Sequence, residues 1–324
     1  RALLPGIAWL FSPVATALGL VLMIAAAWTT ATNWDQFLSA SENLFSPRNW
    51  LWMTVAWIAL KVVHELAHAF ACGRYGGEVR DIGVAFVLFA PLAYVDVTSS
   101  WRLPSKWSRI HVSIAGIYVE LLVAAAAALV WQHTESKFAS HMLYNLIVMA
   151  SVSTVLFNAN PLMRFDGYFI LSDLLGIPNL YAEGSKIVHR QIDRFLFGSS
   201  TQAQQIRCSR SWWVGGYGWA AAIWRIVVCV SLAIAASVLF HGAGFALSLL
   251  AVAGWVGKPA WQFVCSLVTR YNSSPLQVWR ALSLSSLTVV VVAIALFQVP
   301  SPATVSAPGI VEFQDVQNLR SLTG

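Results

Sequence analysis

Residues 50–72 read WLWMTVAWIALKVVHELAHAFAC, an apolar stretch whose only basic, acidic or imidazole side chains are Lys61, His64, Glu65 and His68. About 20 mostly apolar residues cross a bilayer core as a helix, so the stretch predicts a membrane span with a polar inset towards its end. Within it, His64-Glu65-Leu66-Ala67-His68 forms an H-E-x-x-H motif. Positions i and i+4 share one helix face, which lets two imidazoles hold one metal ion while the glutamate reaches its open side. The chain has seven His and seven Glu in 324 residues, and composition alone would produce the motif about 0.003 times. Two imidazoles and a carboxylate are costly inside hydrocarbon, and ionisable groups there are functional by default. The bland alternative is a buried polar cluster that bridges helices.

The rest of the chain agrees with a membrane setting. It is 58% hydrophobic and 10% charged, against about 45–50% and about 25% in soluble domains. So few ionised side chains cannot cover a soluble globule, and the same numbers exclude disorder. The expected fold is an all-α polytopic membrane protein with about seven transmembrane helices, at 8–31, 50–72, 110–131, 142–160, 214–240, 243–257 and 281–299. The sixth is short and is expected to end at Lys258-Pro259. The apolar run Gly83–Val97 is interrupted by Pro91 and Asp96 and reads as a re-entrant segment or hairpin.

Loop charge orients these spans. Fifteen basic residues fall in one set of alternating loops, whereas the other set holds Arg48, Lys137 and Arg320. The positive-inside bias then puts the N-terminus in the cytoplasm and the C-terminus outside, in a multi-pass protein of the bacterial inner membrane. The net charge of +6 comes without a Lys/Arg cluster, so the expected partner is the lipid bilayer and not nucleic acid. Cys72, Cys208, Cys229 and Cys265 are isolated and suggest neither a disulfide framework nor a thiolate metal site. Between Gly184 and Phe197, apolar Ile187, Val188, Ile192, Phe195 and Leu196 alternate with Lys186, Arg190 and Arg194. Two readings stay open there: an amphipathic helix on the cytoplasmic membrane face, or a short helix packed under the bundle.

A catalytic zinc takes three protein ligands and keeps one position open. The third candidate is Asp166, in Asn158-Ala-Asn-Pro161-Leu-Met-Arg-Phe-Asp166-Gly167 at the inner end of the fourth span. The charge-derived topology brings His64 and His68 to a similar depth. Taken alone, Asp166-Gly167 reads rather as a plain helix-end turn than as a ligand.

Together, His64-Glu65-x-x-His68 and Asn158-x-x-Pro161-x-x-x-x-Asp166-Gly167 resemble the site-2 protease family of intramembrane zinc metalloproteases. The resemblance implies a zinc cofactor held by His64, His68 and Asp166, Glu65 as catalytic acid/base, and Asn158 as a substrate-binding residue. Gly116-Ile-Tyr-Val-Glu120 stands where the family's middle helix carries a Gly-Pro-x-x-Asn-like pattern, so Glu120 would bind substrate or orient a neighbour. At the end of the chain, Val305-Ser-Ala-Pro-Gly-Ile-Val311 and Leu322-Thr-Gly324 resemble the start of the lipoyl-like domain of HlyD-type periplasmic adaptors. A disordered tail is the alternative there.

The expected division is 1–49 as an N-terminal transmembrane helix and outer loop, 50–175 as a zinc metalloprotease core, and 176–213 as a cytoplasmic amphipathic segment. Residues 214–299 add three transmembrane helices, and 300–324 begin an adaptor-like β-rich extracytoplasmic element within a longer fusion protein. Two functions compete. One is a zinc metalloendopeptidase acting on membrane-associated or exported peptides, with secretion or efflux components as partners. The other is a non-cleaving platform that binds or transports a peptide and anchors the adaptor.

Overall fold

The computed structural model describes residues 8–44, 46, 49–87, 90–198, 211–239, 241–271 and 274–298. The described elements are α1 (Pro13–Thr32), α2 (Trp34–Ser39), α3 (Trp50–Arg74), a hairpin of β1 (Ile82–Val87) and β2 (Ala90–Val95), α4 (Lys106–Trp131) and α5 (Lys137–Ser153). They continue with α6 (Asp166–Leu175), α7 (Leu180–Phe197), α8 (Ser211–Leu239), α9 (His241–Tyr271) and α10 (Pro275–Gln298), with several short 3-10 turns between elements. Two compact units emerge, Arg1–Arg190 with Gln204–Trp255, and Gln191–Ala203 with Val256–Gly324.

Among the described residues six helices are long and apolar enough to cross a membrane: Pro13–Thr32, Trp50–Arg74, Lys106–Trp131, Lys137–Asn158, Trp212–Ser237 and Pro275–Ala295. The chain is a multi-pass, predominantly helical membrane protein. The expected sixth span, 243–257, lies inside α9 and does not end at Lys258-Pro259, because α9 runs through Pro259 to Tyr271. A proline removes one backbone hydrogen bond, whereas ending the helix there would leave four carbonyls needing partners. The expected β-rich element at 300–324 lies outside the described residues.

In the first unit, α3, α4 and α5 form the centre. Their contacts are made by small side chains: Ala67, Ala71 and Cys72 of α3 meet Val112 and Ala115 of α4, and Leu60, Ala124 and Ala150 join all three helices. Lipid tails are as apolar as leucine, so such contacts work by letting backbones approach closely. Helix α1 starts with Pro13 behind the Ser12 cap and packs on α4, where Tyr118 donates to Ala15 O at 3.2 Å. Its other face exposes Leu18, Val21 and Ile24, as a lipid-facing span requires.

Among the described residues left-handed glycines end three helices, Gly198 closing α7 with φ of 69°. Gly76 follows α3 and Gly176 follows α6, with φ of 78° and 64°, a conformation that costs glycine least. The chain turned by Gly76 enters the antiparallel hairpin, whose pairs run from Ile82↔Val95 to Val87↔Ala90. The interruption by Pro91 therefore marks a hairpin and not a span.

Helix α7 settles between its two expected readings. Its first half is packed: Leu180 is fully buried beside Tyr168 and Val214, and Gly184 lies against Gly218 of α8 so closely that neither tolerates a Cβ. Its second half exposes Ile192 and Phe195. In the second unit, Phe197 is buried beneath the Arg270 guanidinium, 4.2 Å from the ring centre, and Arg280 donates to Phe195 O at 3.2 Å.

Candidate metal centre

One stripe of α3 faces one stripe of α4. Lys61, His64 and His68 lie at i, i+3 and i+7, and Val112, Gly116 and Glu120 at i, i+4 and i+8, so each set shares a helix face. The antiparallel helices pair them as three rungs. Lys61 Nζ sits 2.8 Å from Glu120 Oε1. The His64 ring lies over Gly116, where an added Cβ would fall 2.6 Å from both ring nitrogens. His68 Nδ1 is 2.7 Å from Val112 O. A carbonyl can only accept, so His68 Nδ1 carries the proton and its Nε2 keeps a free lone pair.

The lone pair faces two other donors. His64 Nε2 is 3.0 Å from His68 Nε2 and 2.9 Å from Asp166 Oδ2, and His68 Nε2 is 3.4 Å from the same oxygen. These three residues each offer one ligand atom, all within 4.8 Å of one another. Both imidazoles are buried. The set fits a divalent cation, because two imidazole nitrogens and a carboxylate oxygen converge on one point, with one imidazole tautomer already fixed from behind.

Asp166 reaches this point through a tight loop. The α5 helix closes in a π turn, Thr154–Asn158, with Ala159 N bonded to Thr154 O at 2.7 Å. Asn160 Oδ1 then accepts from Leu162 N at 2.9 Å, and the Tyr217 hydroxyl of α8 holds Pro161 O at 3.0 Å. Gly167 presses on the Ala159 carbonyl, leaving no room for a side chain. Asp166 is consequently the first residue of α6, where the helix dipole favours a negative charge. Burial works against its ionised form, but the His64 imidazole beside it outweighs burial and holds the carboxyl well below the usual range. Arg109 of α4 anchors the far end of α6 through Asp173, at 2.7 Å.

Glu65 lies on the adjacent face of α3. Its Oε2 accepts the backbone N–H of Val95 in β2 at 3.1 Å. With His68 and Asp166 it lines a cavity of about 270 Å³, walled elsewhere by Val95, Trp101, Arg109 and Phe169. The cavity gives His68, Asp166 and the Glu65 carboxylate access to a common space.

Asn158 and Glu120 are near the centre but are not among the residues lining that cavity. Asn158 Nδ2 donates to Glu120 Oε2 at 2.9 Å, and Thr154 Oγ1 donates to the same oxygen. Sequence reasoning missed Thr154, Val112 O and the Val95 N–H. Thr154 carries a weak signal, lying four residues before Asn158 and so one turn away on the same face. The two backbone groups carry none.

No family model matches the chain, and no solved structure does. Over 139 residues, 42% of its length, the chain is 29% identical to the "Putative peptide zinc metalloprotease protein YydH" of Bacillus subtilis (strain 168). That alignment covers 53% of the relative, so the chain spans about half the length of the curated protein it matches.

Proposed function

We propose that this chain is an intramembrane zinc metallopeptidase of the site-2 protease type, hydrolysing peptide bonds of membrane-associated or exported peptides. The observation that carries the reading is the convergence of His64 Nε2, His68 Nε2 and Asp166 Oδ2 beside Glu65, at a cavity between membrane-spanning helices. The name of the Bacillus relative adds support. His64, His68 and Asp166 would hold the zinc, which would supply Lewis acidity for a peptide carbonyl and for water. Glu65 takes the proton of the attacking water and delivers it to the leaving amine. Val95 N–H fixes the Glu65 carboxylate towards the cavity, which α3, α4 and α6 help to wall. The loop-charge asymmetry supports a cytoplasmic N-terminus in a bacterial inner membrane. The likeness of residues 305–324 to HlyD-type adaptors supports coupling to a secretion or efflux system.

The test is a Glu65→Gln variant of the full chain, assayed for cleavage of membrane-anchored peptide reporters and for zinc by elemental analysis. The expected result is a loss of cleavage of about 10²–10⁴-fold with zinc still stoichiometric. Cargo processing unchanged in Glu65→Gln would sink the peptidase reading and leave the non-cleaving platform.

A further inference from the structure

Glu120 is one of the most enclosed side chains of the protein, at 1% exposure, yet it is a carboxylate in the middle of a membrane-spanning helix. An ionised carboxylate offers about four acceptor positions. Here four groups face them. Lys61 Nζ at 2.8 Å and His64 Nδ1 at 3.4 Å face Oε1, while Thr154 Oγ1 and Asn158 Nδ2 donate to Oε2. That complement leaves nothing for a substrate. It also exceeds what a simple tie between α3 and α4 needs, because a lysine–glutamate pair alone would join them.

The excess is explained by His64. Its Nδ1 is buried and makes no formed hydrogen bond, while its Nε2 points at His68 and Asp166. An imidazole that ligates through Nε2 keeps its proton on Nδ1, and a buried N–H requires an acceptor. Gly116 closes one face of the ring, and Glu120 Oε1 is the anionic oxygen opposite Nδ1. We infer that Glu120 is a positioning residue of the metal centre, accepting the hydrogen bond of the His64 Nδ1–H so that Nε2 turns to the metal. Lys61 balances the carboxylate charge. His68 obtains the same service from Val112 O, so the two imidazoles are oriented by different means: a neutral carbonyl behind one, an anion behind the other. This inference rests on the zinc reading given above.

Two neutral double variants isolate the acceptor. Lys61→Met/Glu120→Gln keeps an oxygen opposite His64 Nδ1, whereas Lys61→Met/Glu120→Leu removes it, and neither leaves a lone buried charge. Zinc affinity of the full chain in detergent micelles is read by competition with a chromophoric chelator. The Gln variant is expected within about fivefold of wild type and the Leu variant weaker by about 10–100-fold. Equal affinities in the two would overturn the inference. If the Leu variant elutes as aggregate, the zinc-loaded wild type labelled with 15N-histidine decides instead. A histidine Nδ1 proton that exchanges slowly with water and shifts in Lys61→Met/Glu120→Gln is expected; exchange at the solvent rate, or no shift, overturns it. Failure of the zinc reading looks different: wild type without stoichiometric zinc, or full zinc retained in His64→Ala and Asp166→Ala.

Discussion

Replacing Gly116 by alanine adds one methyl group at the point where α4 touches the His64 ring. The new Cβ would lie 2.6 Å from Nδ1 and from Nε2 and closer still to Cε1 between them, against 3.4 Å for an ordinary contact, so the ring must retreat by about 1 Å. It has no free direction in which to go. Nε2 already sits 2.9 Å from Asp166 Oδ2 and 3.0 Å from His68 Nε2, and Nδ1 faces Glu120. Alanine normally stabilises a helix by about 1 kcal/mol relative to glycine, whereas overpacking a tight contact costs about 1–3 kcal/mol. The clash therefore wins or cancels the propensity gain, and the ring displacement weakens zinc by about tenfold or more. Gly216→Ala in α8 is the matched control, since nothing lies within 4 Å of its added Cβ. Melting of the detergent-solubilised protein, followed by tryptophan fluorescence, and zinc competition are measured on both variants. A Gly116→Ala protein that binds zinc and melts like Gly216→Ala would refute the reasoning, because it would mean that the α3–α4 contact yields without disturbing His64.

Three other outcomes are expected. Asp173→Ala removes the partner of the half-buried Arg109 and is expected to cost about 1.5–3 kcal/mol, with faster amide exchange in α6 and weaker zinc binding through Asp166; unchanged exchange in α6 would count against its anchoring role. At the other end of the bundle, Asn49 and Asn145 exchange hydrogen bonds of 2.9 and 2.6 Å and are both buried. Either single change to leucine is expected to cost about 1–3 kcal/mol, and the double change less than the sum, so additive losses in a thermal double-mutant cycle would contradict the pairing. Zinc at a hundredfold excess over its dissociation constant adds about 2.7 kcal/mol of stability, so a chelator should lower the melting temperature of wild type but not of His64→Ala/Asp166→Ala.

The sequence made the histidines legible because their spacing is intrahelical: i and i+4 is a geometric statement before any fold is known. Asp166 was readable through the company of Asn158, Pro161 and Gly167, and the loop that brings it back to α3 uses these residues for turn and close approach. The hairpin was readable because Pro91 and Asp96 break an apolar run too short to span. What sequence could not give was the third dimension of the polar inset. Glu120 was visible as a carboxylate in a span, but its pairing with Lys61, Thr154 and Asn158 depends on how three helices rotate against each other. Val112 O and Val95 N–H belong to every residue type and have no signature at all. Pro259 misled for a related reason. A proline is a local stop signal, and the continuation of α9 through it depends on the hydrogen bonds that a whole helix keeps.

The three rungs between α3 and α4 have a consequence for assembly. Ala67 and Ala71 against Ala115 present much the same surface one turn up or down, and in a bilayer no hydrophobic drive favours one alignment over another. Sliding by one turn, about 5.4 Å, would exchange alanine for alanine at little cost. The polar groups do not permit it. A slip in one direction sets Lys61 opposite Gly116 and buries an ammonium without its counter-ion, and a slip in the other sets Lys61 opposite Ala124 and drives the His64 ring against Glu120, where no glycine makes room for it. The same side chains that make the inset expensive to bury thus act as a detent, leaving two smooth helices a single position in which to come to rest.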